Sequence, residues 1–214
     1  MPRPLRVAVL ASGEGTTLDD LATEVESEPE RVRIVLVVSD REGAGVLERA
    51  RRHAIPTDVI RSRGPGTEGW SARLSERLTD ARVDVVLLAG YLSILPPDWV
   101  DRWKGRALNL HPSLLPKYGG KGMHGLHVHA AVLAGGETET GATVHLVTGT
   151  VDGGPPLRQE RLAIRHDDTA ESLRARLHPV EVRLAARTLR DFADDALPLP
   201  YPRDAARADV PRRD

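Results

Sequence analysis

The 214-residue chain lacks cysteine, has few aromatic residues and contains no long hydrophobic run. Without cysteine, disulfides, thiolate metal sites and cysteine nucleophiles are excluded. Aromatic residues make up only 3% of the chain, so a core has to be built from Val, Leu, Ile and Ala. No stretch approaches the ~20 apolar residues of a membrane-spanning helix, so no membrane partner is predicted.

The chain also lacks an excess of charge of one sign. It has 30 basic and 31 acidic residues and a formal net charge of -1. This balance argues against a protein that coats nucleic acid or binds membranes through a basic surface. The apolar run at 7–11 is shorter than the ~7–15 residues of a signal-peptide core. We therefore expect a cytoplasmic protein with small-molecule partners, present as a monomer or a homodimer.

The length and the segment pattern indicate one domain. About 150 residues per domain is typical, which makes the chain too short for two full domains. Helical and strand patterns fill residues 1–195, whereas residues 196–214 are rich in Pro and charge and lack periodicity. We predict a single domain at 1–195 and a C-terminal tail at 196–214.

The first half alternates buried strands with amphipathic helices. Near-continuous Val, Ile, Leu and Ala runs occur at 6–11, 32–39 and 83–89, which is typical of strands buried on both faces of a parallel sheet. Helical spacing between these runs predicts an open, doubly wound, mostly parallel α/β sheet with helices on both faces. Further strands are predicted at 107–110 and 142–147. Pro179 is expected to kink or restart the last helix, which extends to Phe192.

A glycine-rich turn follows the first predicted strand, at Ser12–Thr17. Gly15 lets the backbone approach a ligand, and Thr16 and Thr17 open a helix whose free amides suit a phosphate. A plain tight turn is the alternative. A dinucleotide-binding turn is less favoured because Leu18 occupies the position of its third glycine, although Asp40 lies where a ribose-binding acid could be.

Asn109 and His111 are two residues apart at the end of a predicted strand, so their side chains point to the same side. An amide can donate to a developing oxyanion, and an imidazole can transfer a proton near neutral pH. Asp152 precedes two glycines in a predicted loop, where its carboxylate could approach a neighbour or simply cap the turn. These three residues are the candidate catalytic groups.

Two other features of the same region have weaker interpretations. Lys117 and Lys121 could bind an anionic group or remain solvated. His124, His127 and His129 could suggest a metal site, but no carboxylates cluster beside them in the sequence. We predict that no metal is bound.

The chain resembles the folate-dependent formyltransferases over about residues 5–193. The segments that carry the resemblance are Asn109–Pro116, Gly141–His145, Val151–Pro155, Leu88–Tyr91 and Ser12–Thr17. Each is moderately specific, and their order and spacing together are strongly so. The resemblance implies a formyltransferase-like variant of the Rossmann fold.

The resemblance also implies an activity. Within the family, the pattern of these segments implies that the chain transfers the formyl group of 10-formyltetrahydrofolate, the co-substrate, to the amino group of glycinamide ribonucleotide in purine (IMP) biosynthesis. By the resemblance, Asn109 would hold the formyl oxygen and His111 would act as general acid. Asp152 would keep the His111 imidazole charged and help to relay protons.

The substrate-binding positions follow from the same resemblance. Gly15, Thr16, Thr17 and Glu181 would bind the amine substrate. The residues on the folate side would be Leu92, Ser93, Ile94, Leu95, Asn109, Thr148, Gly149, Thr150 and Val151. Ser93 replaces an arginine that is common at that position in the family, so the contacts to the folate carboxylates are not predicted.

Three other functions remain open at this stage. A formyltransferase acting on another amine, such as an amino-sugar nucleotide, would share the three catalytic groups. A catalytically silent phosphosugar- or folate-binding module would not need them, and an NAD-binding domain is disfavoured by Leu18. A formyl-folate hydrolase or a tRNA formyltransferase of this family would be expected to carry an additional domain.

Overall fold

Within residues 3–197 the chain forms a seven-stranded sheet, and the predicted aliphatic runs are among its strands. The computed structural model describes residues 3–197; residues 1, 2 and 198–214, which include most of the predicted tail, lie outside the described part. The strands are β1 (Leu5–Leu10), β2 (Val32–Ser39), β3 (Thr57–Val59), β4 (Val85–Ala89), β5 (Ala107–His111), β6 (Glu139–Leu146) and β7 (Pro156–Ala163).

The strand order is β3-β2-β1-β4-β5-β6-β7. The strands from β3 to β5 pair in parallel, and β6 and β7 add antiparallel pairs at one edge. The prediction of an open, mostly parallel sheet is therefore confirmed.

In the described part of the chain, six helices flank the sheet. They are α1 (Thr16–Glu26), α2 (Gly45–Arg52), α3 (Trp70–Asp80), α4 (Pro97–Arg102), α5 (Leu126–Ala134) and α6 (Ala170–Ala193). Alternate residues of β1 divide between two cores: Val7 and Val9 pack with α1, α2 and α6, whereas Ala8 and Leu10 pack with α3 and α4. The period of two in a strand thus produces helices on both faces, as predicted.

Two local features differ from the sequence expectations. β7 was not expected, because its residues alternate between partly buried and exposed and include charged side chains instead of an apolar run. Pro179 lies inside the uninterrupted helix α6. Pro179 itself is exposed, and its neighbours Leu177 and Val180 are buried, so packing on both sides of the proline outweighs its lost hydrogen bond.

The strand order reverses between β1 and β4. In open α/β sheets, ligands bind in the crevice outside the carboxyl ends of the strands at such a reversal. The turn after β1, the segment after β4 and His111 at the end of β5 all emerge at this edge. The topology therefore brings three of the predicted site segments together.

The turn after β1 is tightly packed at one glycine. Gly15 has φ +76°, and a Cβ atom there would lie 2.5 Å from the Cα of Val46 in α2. By contrast, a Cβ on Gly13 would meet nothing within 4 Å. Of the two glycines in the turn, Gly15 is therefore the one that the approach to α2 requires.

We expect Gly15→Ala to lower the melting temperature by about 3–8 °C, because it combines a left-handed backbone with a clash against the helix backbone. The matched variant Gly13→Ala should melt within about 1 °C of the parent protein, since its side chain enters open space. Thermal unfolding followed by circular dichroism measures both. Equal melting temperatures for the two variants would contradict this account of the turn.

Candidate active site

A cavity of about 680 Å³ opens at the edge where β1, β4 and β5 end. All residues predicted to bind substrates or to act in catalysis line it. On the amine side these are Gly15, Thr16, Thr17 and Glu181; on the folate side Leu92, Ser93, Ile94, Leu95, Thr148, Gly149, Thr150 and Val151; and between them Asn109, His111 and Asp152. The structure thus brings together residues that are far apart in the sequence.

Asp152 projects from a loop that folds back onto β6. Gly154 makes this possible, because a Cβ there would lie 1.7 Å from the carbonyl oxygen of Leu146. The Asp152 backbone is left-handed, with φ 53°. Its side chain is only 10% exposed, and one carboxylate oxygen, Oδ2, accepts a hydrogen bond of 2.8 Å from the Gly120 amide. The carboxylate therefore lies inside the cavity wall and does more than cap a turn.

Asn109 is fixed by two acceptors. Its Nδ2 donates to Asp152 Oδ1 at 3.1 Å and to His145 Nε2 at 3.0 Å. His145 can accept because its other nitrogen, Nδ1, donates to the Leu146 carbonyl at 2.9 Å. A reversed Asn109 amide would place its oxygen against the Asp152 carboxylate. The Asn109 amide is therefore oriented with its N–H groups, and not its oxygen, toward Asp152 and His145.

His111 is buried between a carbonyl and the carboxylate. Its Nε2 donates to the Tyr118 carbonyl at 2.8 Å, and its Nδ1 lies 3.5 Å from Asp152 Oδ2. With the proton of the neutral ring committed to Tyr118, Nδ1 is the nitrogen that can take up a further proton. This geometry makes Nδ1 the reactive nitrogen of the ring.

The loop after β5, which carries the Tyr118 carbonyl, is fixed by a hydrogen-bond network to the strands β6 and β7. Thr143 Oγ1 donates to the Ser113 carbonyl at 2.6 Å and accepts from the Leu115 amide at 3.1 Å. Gln159 donates to both Thr143 Oγ1 and the Leu115 carbonyl, each at 2.9 Å. Fixing this loop fixes the tautomer of His111.

The protonation state of His111 differs from the sequence expectation. Burial lowers the pKa of His111 below its ordinary 6.5, and the charge of Asp152, which raises it, does not fully compensate. Burial alone would raise the pKa of Asp152, but its interactions with the rings of His145 and His111 and the hydrogen bond from the Gly120 amide together hold it below its ordinary value. At neutral pH the free site thus pairs a carboxylate with a neutral imidazole, whereas a charged imidazole was expected.

Two contributors to this cluster were not assigned from the sequence. His145 ends the Gly141–His145 segment and lies directly opposite Asn109 in the antiparallel pairing of β5 with β6. Its position within the predicted strand 142–147 was the available signal, but the register that places it opposite Asn109 depends on long-range pairing. The Gly120 amide left no sequence signal, because any residue except proline supplies one.

The amine side of the cavity combines a helix N-terminus with one face of α6. Gly15 is the N-cap of α1 and has no side-chain cap, so the first amides of α1 can receive an anion. Across the cavity lie Arg174, His178 and Glu181, spaced four and three residues apart on one helix face. Burial raises the pKa of Glu181 to about 7, against the charges of His178 and Arg174, which lower it.

The folate side offers exposed apolar residues on a fixed backbone. Ile94 is 62% exposed and Leu92 is also exposed, while Leu95 is buried. Ser93, where an arginine was noted as common, donates to Asp40 Oδ2 and also contacts Ser62 Oγ, both at 2.5 Å. Asp40 is therefore engaged by Ser93, which further disfavours its use as a ribose-binding acid.

The charged side chains of the loop after β5 have separate surroundings. Lys117 pairs with Glu137 at 2.9 Å outside the cavity, whereas Lys121 lines the cavity.

Among residues 3–197, no group of three or more His, Asp or Glu side chains is arranged to hold a metal ion. None of the helices within that range is long and apolar enough to cross a membrane.

The fold and the cavity define a doubly wound α/β protein that binds ligands at its strand reversal. The family model described as formyl transferase matches residues 5–189. The chain belongs to the formyl transferase family, which confirms the resemblance found in the sequence.

Individual relatives extend this assignment. The chain is 34% identical to the phosphoribosylglycinamide formyltransferase of Escherichia coli, covering 90% of this chain and 89% of that protein. It is 40% identical to the trifunctional purine biosynthetic protein adenosine-3 of Drosophila pseudoobscura, of which it spans only 14%. In that comparison, 90% of this chain is covered.

Solved structures show the same fold. A glycinamide ribonucleotide transformylase from Symbiobacterium toebii superposes with a TM-score of 0.82 at 35% identity, covering 91% of this chain and 90% of that one. A formyltetrahydrofolate deformylase from Pseudomonas syringae superposes with a TM-score of 0.79 at 28% identity, covering 90% of this chain and 62% of that one.

The arrangement of His111 predicts a specific titration. We expect the imidazole of His111 to titrate below pH 6.5 in the free protein, because burial outweighs the Asp152 charge. In Asp152→Asn the favourable charge is lost, so the His111 pKa should fall further. A pH titration followed by NMR of the histidine rings measures both values. An unchanged or raised pKa in the variant would show that Asp152 does not act on His111.

Proposed function

We propose that the protein transfers the formyl group of 10-formyltetrahydrofolate to the amino group of glycinamide ribonucleotide, a step of purine (IMP) biosynthesis. The observation that carries this proposal is the cluster of Asn109, His111 and Asp152 at the centre of the cavity. It lies between an anion-binding turn on one side and exposed apolar residues on the other. The names of the relatives at 34–40% identity support the same activity.

On the amine side, the phosphate of glycinamide ribonucleotide binds at the N-terminus of α1. The amides following Gly15 and the hydroxyls of Thr16 and Thr17 supply donors for an anion. Glu181, on α6, accepts hydrogen bonds from hydroxyl groups of the ribose. This placement leaves the amino end of the substrate directed toward Asn109 and His111.

On the folate side, the ring system packs against the segment Leu92–Leu95 and the loop Thr148–Val151. Both segments line the cavity, and their exposed side chains, Leu92, Ile94 and Val151, lose water when an aromatic ring covers them. The formyl group then reaches the side chain of Asn109.

Asn109 stabilises the oxyanion that forms when the amine attacks the formyl carbon. One of its N–H groups leaves its present acceptor and donates to the formyl oxygen, while the other keeps the amide oriented. A donor placed in this way typically contributes ~10²–10³-fold to the rate of acyl transfer.

His111 moves the proton that the attacking amine must lose. The neutral ring accepts this proton on Nδ1, and the imidazolium that forms is stabilised by Asp152, 3.5 Å away. The carbon–nitrogen bond to the folate then breaks, and His111 returns the proton to the folate nitrogen as general acid. One proton passes from the amine to the leaving nitrogen, so the ring ends the cycle as it began. No metal ion enters this sequence.

The amine specificity can be tested directly, because an amino-sugar nucleotide is the alternative acceptor that the same three catalytic groups could serve. We expect glycinamide ribonucleotide to be formylated with a kcat/KM at least about a hundredfold above that of an amino-sugar nucleotide. Without an amine, formate release should be negligible. The measurement is a formyl-transfer assay with 10-formyltetrahydrofolate, a panel of amine acceptors and a reaction without acceptor.

The other outcomes identify the alternatives. Preference for the amino-sugar nucleotide would assign a different transferase. Formate release that does not depend on an amine would indicate a deformylase, as named for the Pseudomonas syringae structure. Binding of a folate analogue without any turnover would indicate a binding module.

We also propose a cytoplasmic location, which fractionation of the source cells would test.

A further inference from the structure

His129 in α5 is a buried polar side chain that the proposed reaction does not use. It is 2% exposed, yet it lines the cavity together with Arg174 and His111. Its Nδ1 has no hydrogen-bond partner among the residues that the structure describes. Among the described residues the ring therefore has no hydrogen-bond partner, and Nε2 is its only nitrogen that is not fully enclosed. Buried polar side chains without partners are uncommon, so a ring of this kind in the wall of a binding cavity suggests a hydrogen bond to a ligand.

The position of the unpartnered nitrogen determines whether the ring presents a hydrogen-bond donor or an acceptor to the cavity. An orphaned N–H in the interior is rarer than an orphaned acceptor, so the buried Nδ1 is the nitrogen without a proton. The proton is then on Nε2, and Nε2 is the ring nitrogen that a molecule in the cavity can reach. His129 therefore presents a hydrogen-bond donor to the cavity.

The ring remains neutral throughout the physiological pH range. Burial, together with the charges of Arg174 and His111, lowers the pKa of His129 to about 4. A neutral ring can bind an uncharged oxygen without a competing ionic interaction. This distinguishes His129 from Arg174, which remains charged and suits the phosphate.

The location of His129 between Arg174 and His111 indicates which part of the substrate it contacts. Both residues act electrostatically on the His129 ring, so His129 lies near each of them. Arg174 is on the amine side of the cavity and suits the phosphate, and His111 is the group that meets the reacting amino group in the proposed reaction. In glycinamide ribonucleotide, the strongest neutral acceptor between these two ends is the carboxamide oxygen.

We infer that His129 is a substrate-positioning residue whose Nε2–H donates to the carboxamide oxygen of the amine substrate. This inference rests on the proposed function, since it concerns the amine that the reaction consumes. It assigns to the site a contact that recognises the glycinamide portion, separate from the contacts to the phosphate.

Three substitutions of His129 distinguish the contributions of its two ring nitrogens. His129→Gln places an amide N–H near the position of Nε2 and should keep KM for glycinamide ribonucleotide within about threefold. His129→Asn reaches only the position of Nδ1, and His129→Phe keeps the ring but has no donor. For both we expect KM to rise about three- to tenfold, which corresponds to one neutral hydrogen bond. The KM for 10-formyltetrahydrofolate should not change.

The neighbouring His127 supplies a matched control. It is exposed on the same helix and is not part of the cavity wall, so His127→Gln should leave all constants unchanged. Ribose 5-phosphate tests which end of the substrate is contacted. Its inhibition constant should be the same in the parent protein and in His129→Asn, because ribose 5-phosphate lacks the carboxamide.

The outcomes are distinguishable from a failure of the proposed function. If the parent protein does not formylate glycinamide ribonucleotide, the proposed function is wrong. If it does, equal KM values for the Gln and Asn variants would overturn the inference, as would weakened inhibition by ribose 5-phosphate. Should His129→Phe fail to fold in a thermal-unfolding measurement, the comparison of Gln with Asn still decides the question.

Discussion

The buried carboxylate of Asp152 is the group on which the geometry of the site depends. A carboxylate with 10% of its side chain exposed stays ionised only when neighbouring groups replace the lost water. Here the Gly120 amide and the Asn109 amide donate to it, and His111 faces it. These groups come from the end of β5 and from the loop after β5, and Asp152 comes from the loop after β6. Stabilising this one charge therefore holds the three segments together.

The same burial determines the chemistry. His111 shares the low-dielectric surroundings of Asp152, and for an imidazole these disfavour the charged form. The result is a neutral ring beside a carboxylate, with its second nitrogen held by the Tyr118 carbonyl. Such a pair can take up a proton when the reacting amine releases one, because the carboxylate then faces an imidazolium. A ring that was already charged could not accept this proton.

Local patterns predicted the parts of the site that depend on chain neighbours. The aliphatic runs gave the strands of the parallel sheet, the period of two placed Asn109 beside His111, and the glycines around Gly15 indicated a turn. The two glycines after Asp152 marked it as a candidate, the family resemblance gave it a role and added Glu181, and both residues line the cavity.

The remaining features depend on contacts between distant segments. The contribution of His145 follows from its pairing with Asn109 across β5 and β6, which no local pattern reveals. The neutral state of His111 follows from burial, and burial is set by the whole fold. β7 lacked an apolar run because it is partly exposed, and Pro179 remains in α6 because packing around it outweighs a local rule.

The rate of formyl transfer in Asp152→Asn tests the central claim, that the charge of Asp152 serves the proton transfer. The substitution keeps the shape of the side chain and removes its charge. The account predicts that the single-turnover rate falls by ~10²–10⁴-fold, the range for losing positioned acid–base catalysis, while the dissociation constants of both substrates change far less. A folded variant with a rate within a few-fold of the parent protein would contradict it, and Asp152 would then be only a turn residue.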